Sequence, residues 1–191
     1  MADYVSSLLF VMLLVFPVYT LARIFWVKTK GDNRTLSREL TMGLFVLFMF
    51  GLLVLTFQDS GFPWMKADSF EKAINRIRYR VGVNFVPFKT IRNYIRYSPS
   101  VESIIINIGG NVILFIPWGL CLPMFWKKFY SAWRLIAASL LLPVTIEFCQ
   151  LFIGRSVDID DVILNFTGSM IGVLLFAVLR RIFPKLNTLA G

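Results

Sequence analysis

The chain has 191 residues, 57% hydrophobic and 16% charged, with a net charge of +9 and no histidine. A mean hydropathy of +0.70, with apolar runs reaching the roughly 20 residues that a bilayer demands, excludes an ordinary small soluble domain. The missing histidine excludes histidine triads, general bases and metal ligands, and the positive balance suits anionic lipid surfaces or phosphate-bearing ligands better than a cationic substrate. No recognition motif accompanies the basic residues, which flank apolar runs, so nucleic acid is not an expected partner.

In chain order, the first predicted span runs from Tyr4 to Val27, with Pro17 as an expected kink. No Lys or Arg precedes it and no small-residue cleavage site follows, so it is expected to remain as a span. A basic loop with Lys28, Lys30, Arg34 and Arg38 follows, in which Asn33-Arg34-Thr35 matches a glycosylation triplet by chance. The second span is Leu40 to Phe57. In the long connection from Gln58 to Ser103, Phe70, Ile74, Ile77 and Val81 recur at helical spacing with Lys72, Arg76, Arg78 and Arg80 between them. That pattern predicts a basic amphipathic helix on the membrane surface, a solvated, membrane-adhering face more than a specific site. The Asn84 to Phe88 segment breaks it, and Thr90 to Tyr97 is expected as a second surface or re-entrant turn.

The third span, Ile104 to Phe125, opens with Asn107, Gly109, Gly110 and Asn111, and Pro117 frees the carbonyl of Ile113, which predicts a distortion there. The fourth is Trp133 to Ile153, with Pro143 one turn before Glu147. The fifth is Val162 to Leu179, stopped by Arg180 and Arg181. Trp26, Trp64, Trp118, Trp126 and Trp133 are expected as interface anchors. Cys121 and Cys149 lie in spans of opposite direction, roughly 18 Å apart in depth at ~1.5 Å per residue. That is too far for a disulfide, so both are expected in the core.

The predicted fold is all-α, a polytopic membrane protein of about five transmembrane helices with a basic amphipathic helix in the long outer loop. It divides into residues 1–57 (two helices and a basic cytoplasmic loop), 58–103 (outer loop), 104–183 (a three-helix core whose motifs begin near residue 84) and 184–191 (a cytoplasmic tail). The short loops place Lys127, Lys128, Arg180 and Arg181 inside, which puts the N-terminus outside and the C-terminus in the cytoplasm.

Polar residues converge on the outer half of this core. Asp158, Asp161, Asn165, Gly168 and Gly172 advance by three, four, three and four residues, one continuous stripe if helical. Glu147 and Gln150 share a face of the preceding helix. Asn107 and Asn111 lie about 5 and 10 Å below the outer end of span three and Glu147 about 9 Å below that of span four, at ~1.5 Å per residue. Arg155, Asp158, Asp160 and Asp161 form the lid between spans four and five, with Asn84 on the same side.

A membrane segment must satisfy such groups inward. They fit a site for the polar headgroup of an outer-leaflet lipid. Glu147, Asp161 and Asp158 would be candidate catalytic carboxylates, acting as acid and base or holding a divalent cation. Arg155 would grip phosphate, and Asn84, Asn107, Asn111, Gln150 and Asn165 would orient the ligand. The same residues also fit a purely structural network, in which Arg155 pairs with a carboxylate and the amides glue the helices. The Asp158 to Asp161 run lacks the glycine and terminal glutamate of a calcium loop, so the residues leave both metal binding and catalysis open.

At these residues the sequence resembles the VanZ-like family of bacterial membrane proteins. The matching pattern is Asn84 with Pro87-Phe88, then Asn107, Asn111, Phe115, Pro117 and Gly119, Glu147 with Gln150, and finally Arg155, Asp158, Asp161, Asn165 and Gly168. The likeness spans about Asn84 to Arg181, and the first two spans carry no signature of it. The resemblance implies the bacterial cell membrane as location and a role at the envelope. The founding member is associated with low-level resistance to teicoplanin, a lipoglycopeptide antibiotic, without remodelling of the peptidoglycan terminus. It carries no catalytic assignment. The expected partners are therefore membrane lipids or a lipid-linked cell-wall precursor, together with the glycopeptide antibiotic itself.

Overall fold

The computed structural model describes residues 2–30, 36–57, 68–184 and 186, with side chains for 13–26, 28–29, 37–57, 68–184 and 186. The Asn33-Arg34-Thr35 triplet, Trp64 and Lys185 lie outside the described residues. The chain divides into two compact units, Met1–Asp59 and Ser60–Gly191.

The first unit is a pair of helices, α1 (Ala2–Lys30, with Pro17 inside it) and α2 (Leu36–Phe57). An apolar stretch Leu13–Trp26 lies in α1, and α2 is long and apolar enough to cross a bilayer. Arg23 on α1 holds Glu39 on α2 through two parallel bonds, Nε to Oε2 at 2.7 Å and Nη2 to Oε1 at 2.5 Å. This bidentate geometry fixes the register of the two helices better than a lysine could.

The second unit opens with α3 (Ser69–Tyr79), β1 (Val83–Asn84) and α4 (Lys89–Tyr97). A single turn, α5 (Val101–Ile104), leads through a π-helical turn over Ile105–Gly109 into α6 (Gly110–Phe125). Then come α7 (Ala132–Ile153), β2 (Val157–Asp158) and α8 (Ile159–Ile182). The helical stretches 101–125, 132–153 and 159–182 are each long and apolar enough to span a membrane. The chain is thus an all-α polytopic membrane protein.

Small residues let α6 and α8 touch. A Cβ on Gly119 would fall 1.8 Å from the Ser169 carbonyl oxygen, one on Gly168 2.0 Å from that of Val112, and one on Gly172 2.1 Å from that of Ile116. In lipid, helices associate through such close backbone packing because burial of apolar surface gives no advantage over acyl chains. Trp118 ties α6 to α7 by donating its indole N–H to the Ala138 carbonyl at 3.1 Å. It thereby acts as a strut between the two helices.

Two expectations are corrected. The irregularity in the third span lies at Ile105–Gly109, where the Gly110 N–H reaches the Ile105 carbonyl, while Pro117 sits inside continuous α-helix. The 90–97 segment is a regular helix. The predicted amphipathic helix forms as α3, with Phe70, Ile74 and Ile77 exposed along it and Ala73 buried, while Val81 is exposed in the turn beyond its end.

Candidate functional site

A two-residue parallel ladder organises one end of the second unit. Val83 pairs with Val157 and Asn84 with Asp158, joining segments more than 70 positions apart. Arg76 locks this arrangement from behind. Its Nη1 donates to the Leu151 carbonyl at 2.8 Å, and its Nη2 to the carbonyls of Gly82 at 3.2 Å and Arg155. The end of α7 leaves carbonyls unpaired and partially negative, and the planar guanidinium meets several at once. Burial lowers its pKa from the ordinary guanidinium value, a cost these carbonyls offset. Arg76 is therefore an internal clasp and not part of a solvated basic face.

Asp160, missed as a site residue by the sequence reading, has no exposed surface. Its carboxylate accepts from the backbone N–H of Phe88 at 2.5 Å, Thr90 at 2.7 Å and Ile91 at 3.1 Å. Those are the free donors at the start of α4, so a residue in the first turn of α8 caps another helix. The cap also holds Phe88 at φ +63°, a left-handed conformation that a bulky residue otherwise avoids. Asp158 completes the bracket. Its Oδ1 accepts from Asn84 Nδ2 and the Asp160 N–H, both at 2.9 Å, and its Oδ2 from the Thr90 hydroxyl at 2.5 Å. Asp158 is the extended N-cap of α8, so the helical stripe begins at Asp161.

Between α4, the π-turn and α8 lies a polar cleft of about 310 Å³. From α4 come Thr90 and Tyr94, from the third span Asn107 and Asn111, and from the β2–α8 corner Ser156, Asp158 and Asp161. Asn111 Nδ2 donates to Asp161 Oδ1 at 2.9 Å. Asn107 Nδ2 donates to the Ser103 carbonyl at 2.7 Å, and the Tyr94 hydroxyl reaches Asn107 Oδ1 at 3.4 Å. The π-turn places Asn107 and Asn111 together on the cleft, a use typical of such bulges. Thr90 and Tyr94, four apart on one helical face, are cleft residues that periodicity in 89–97 could have exposed.

The remaining predicted residues surround the cleft without lining it. Glu147 is buried, and its Oε2 accepts the Asp158 backbone N–H at 2.8 Å. Arg155 is half-buried and acts electrostatically on both Glu147 and Asp161. Gln150 is buried near the end of α7, where its carbonyl accepts the Arg155 N–H at 3.1 Å. Asn84 braces the ladder. Asn165 is buried one turn beyond Asp161, and its Oδ1 has no hydrogen-bond partner among the described residues. No three Asp, Glu or Cys side chains among the described residues come together as a metal-holding group.

The sequence model of the VanZ/LLP1 family matches residues 45–180. The chain belongs to this family. The match begins inside α2, so the family pattern extends further toward the N-terminus than the motifs from Asn84 onward suggest. No curated protein and no solved structure matches the chain.

Proposed function

We propose that this VanZ/LLP1 protein uses its polar cleft to hold the headgroup of an outer-leaflet lipid or lipid-linked cell-wall precursor, and thereby contributes to glycopeptide resistance of the teicoplanin type. The carrying observation is the cleft itself, whose polar side chains from three separate segments meet at one end of apolar helices. A network needed only for packing would close on itself, as the Asp160 cap does. The cleft instead leaves room for a ligand, and Asn111 engages only Oδ1 of Asp161, with no hydrogen bond to Oδ2 among the described residues.

Binding is favoured over chemistry by the position of the carboxylates. Both oxygens of Asp158 are engaged, and Glu147 stands behind the β2 strand on a backbone amide. A general acid and base must both reach the reacting atoms; Asp158 and Asp161 both line the cleft, but the Asp158 oxygens are already bonded and Glu147 lies outside the lining. The rival reading, a scaffold with a structural polar cluster, is supported by the closed bonding of Asn84, Asp158 and Asp160.

The test compares cells lacking the gene, cells with it, and cells with Asp161→Asn, measuring teicoplanin susceptibility and a mass-spectrometric profile of lipids and precursors. The binding reading expects Asp161→Asn to remove most of the resistance while the lipid profile stays unchanged. A species that depends on Asp161 would make the protein an enzyme. Full resistance in a normally expressed Asp161→Asn protein would sink the site.

A further inference from the structure

Building on that headgroup-binding reading, we propose that the cleft recognises a primary ammonium group on its amphiphilic ligand, not a phosphate. The inference rests on which hydrogen-bonding capacity is already used. A carboxylate and a backbone carbonyl can only accept, so the Asn111 amide facing Asp161 and the Asn107 amide facing Ser103 must present their nitrogens there. Each amide therefore keeps accepting capacity at its carbonyl oxygen, although that of Asn107 already takes the Tyr94 hydroxyl, and the second Asn111 N–H and the Ser156 hydroxyl remain as donors. The Thr90 hydroxyl proton goes to Asp158 and the Tyr94 proton to Asn107.

What remains is mostly acceptors: Asp161 Oδ2, the two amide oxygens and the lone pairs of Tyr94. Beyond the cleft floor, Asn165 adds an orphaned buried oxygen. Among the described residues no lysine or arginine lines the cleft, although Arg155 acts on Asp161 from outside the lining. A phosphate, itself all acceptors, would meet acceptors and a carboxylate. An ammonium brings three donors and one positive charge, which the amide and Tyr94 oxygens can accept and the Asp161 carboxylate compensates. The protein's excess positive charge lies elsewhere. Lys89, Arg92 and Arg96 are exposed on α4, outside the cleft lining, where anionic groups of the same amphiphile or its neighbours would meet them.

The ammonium has two natural sources, an aminated lipid headgroup or a side-chain amine of a lipid-linked peptide. The full chain in phosphatidylglycerol nanodiscs distinguishes them by native mass spectrometry. The probes are phosphatidylethanolamine, its N-acetylated derivative, a glucosyl diacylglycerol, and a lysine-containing lipid-linked peptidyl disaccharide with and without N-acetylation at lysine. A charged hydrogen bond lost on acetylation predicts about tenfold weaker binding. That preference, shown for either amine and abolished in Asp161→Asn, supports the proposal and identifies the source.

Equal binding of amine and N-acetyl forms overturns it, and so does an amine preference that survives Asp161→Asn. If the glucosyl lipid binds best and depends on Asp161, the headgroup reading stands and the ammonium assignment falls. If no probe responds to Asp161→Asn or Tyr94→Phe, both fall. Should Asp161→Asn fail to fold, the amine to N-acetyl ratio on the unaltered protein and its loss in Tyr94→Phe decide the question.

Discussion

Glu147 illustrates how one buried carboxylate can be read as a proton carrier or as a brace, and the two roles separate at the level of single atoms. Its Oε2 accepts the Asp158 amide, which fixes the strand residue whose side chain in turn holds Asn84 and Thr90. A glutamine keeps an oxygen acceptor at the same reach, whereas a leucine of similar size does not. Glu147→Gln is therefore expected to retain stability and teicoplanin phenotype. Glu147→Leu leaves the part-buried Asp158 N–H without its acceptor and costs about 1 kcal/mol or more, read as an earlier thermal unfolding transition in detergent. A well-folded Glu147→Gln protein without phenotype would restore the acid–base role. The sequence already placed Glu147 and Asp158 in one neighbourhood, because a short polar loop joins their helices. It gave no sign that the contact runs through the backbone, since any residue at 158 presents the same N–H.

At the scale of elements, hydropathy located the second to fifth spans to within a few residues, while the first is a long helix with a shorter apolar stretch, Leu13–Trp26, and depth along the spans put Asn107 and Asn111 at the same end as Asp161. Less legible were the contacts that depend on chain reversal. The ladder between Val83-Asn84 and Val157-Asp158 is too short to leave a periodic signal. Arg76 sits at a position that reads as one more cation on a basic helix until α7 ends beside it. Glycines in the α6–α8 seam were legible as a small-residue stripe, and the structure assigns each a specific clash. Gly168→Ala would drive a methyl into the Val112 carbonyl, with backbone on both sides and nothing flexible to yield. The expected cost is about 1–3 kcal/mol or more, as for overpacked cores, with the cleft between the separated helices distorted. Gly110→Ala is the control, since a Cβ there meets nothing within 4 Å and the residue is helical. It should leave the melting temperature unchanged or slightly raised. Equal effects from both substitutions would mean that the α6–α8 contact does not limit stability.

For the whole molecule, the outer-leaflet reading requires the cleft to face away from the cytoplasm. The end of the second unit remote from the cleft carries Lys127, Lys128, Arg134, Arg180 and Arg181 in a short connection and at a helix end. Several of these are set on aromatic rings, with Arg180 4.9 Å from the Tyr130 ring centre, Lys128 5.1 Å from Phe129 and Arg134 5.7 Å from Trp133. Such rings favour the headgroup level, and basic residues in short connections stay inside. The cleft end also carries cations, but Arg76 is consumed by carbonyls, and α3 and α4 are folded elements instead of a bare basic loop. The orientation proposed is therefore N-terminus outside and C-terminus cytoplasmic. Asn93 and Lys128 are both exposed, so Asn93→Cys and Lys128→Cys report on opposite ends. In intact cells a membrane-impermeant maleimide should label Asn93→Cys at once, whereas Lys128→Cys should react only after permeabilisation. The native thiols, Cys121 buried and Cys149 half-buried within helices, provide the background to subtract. The reverse pattern would turn the cleft toward the cytoplasm, and a ligand held there would have to come from the inner leaflet.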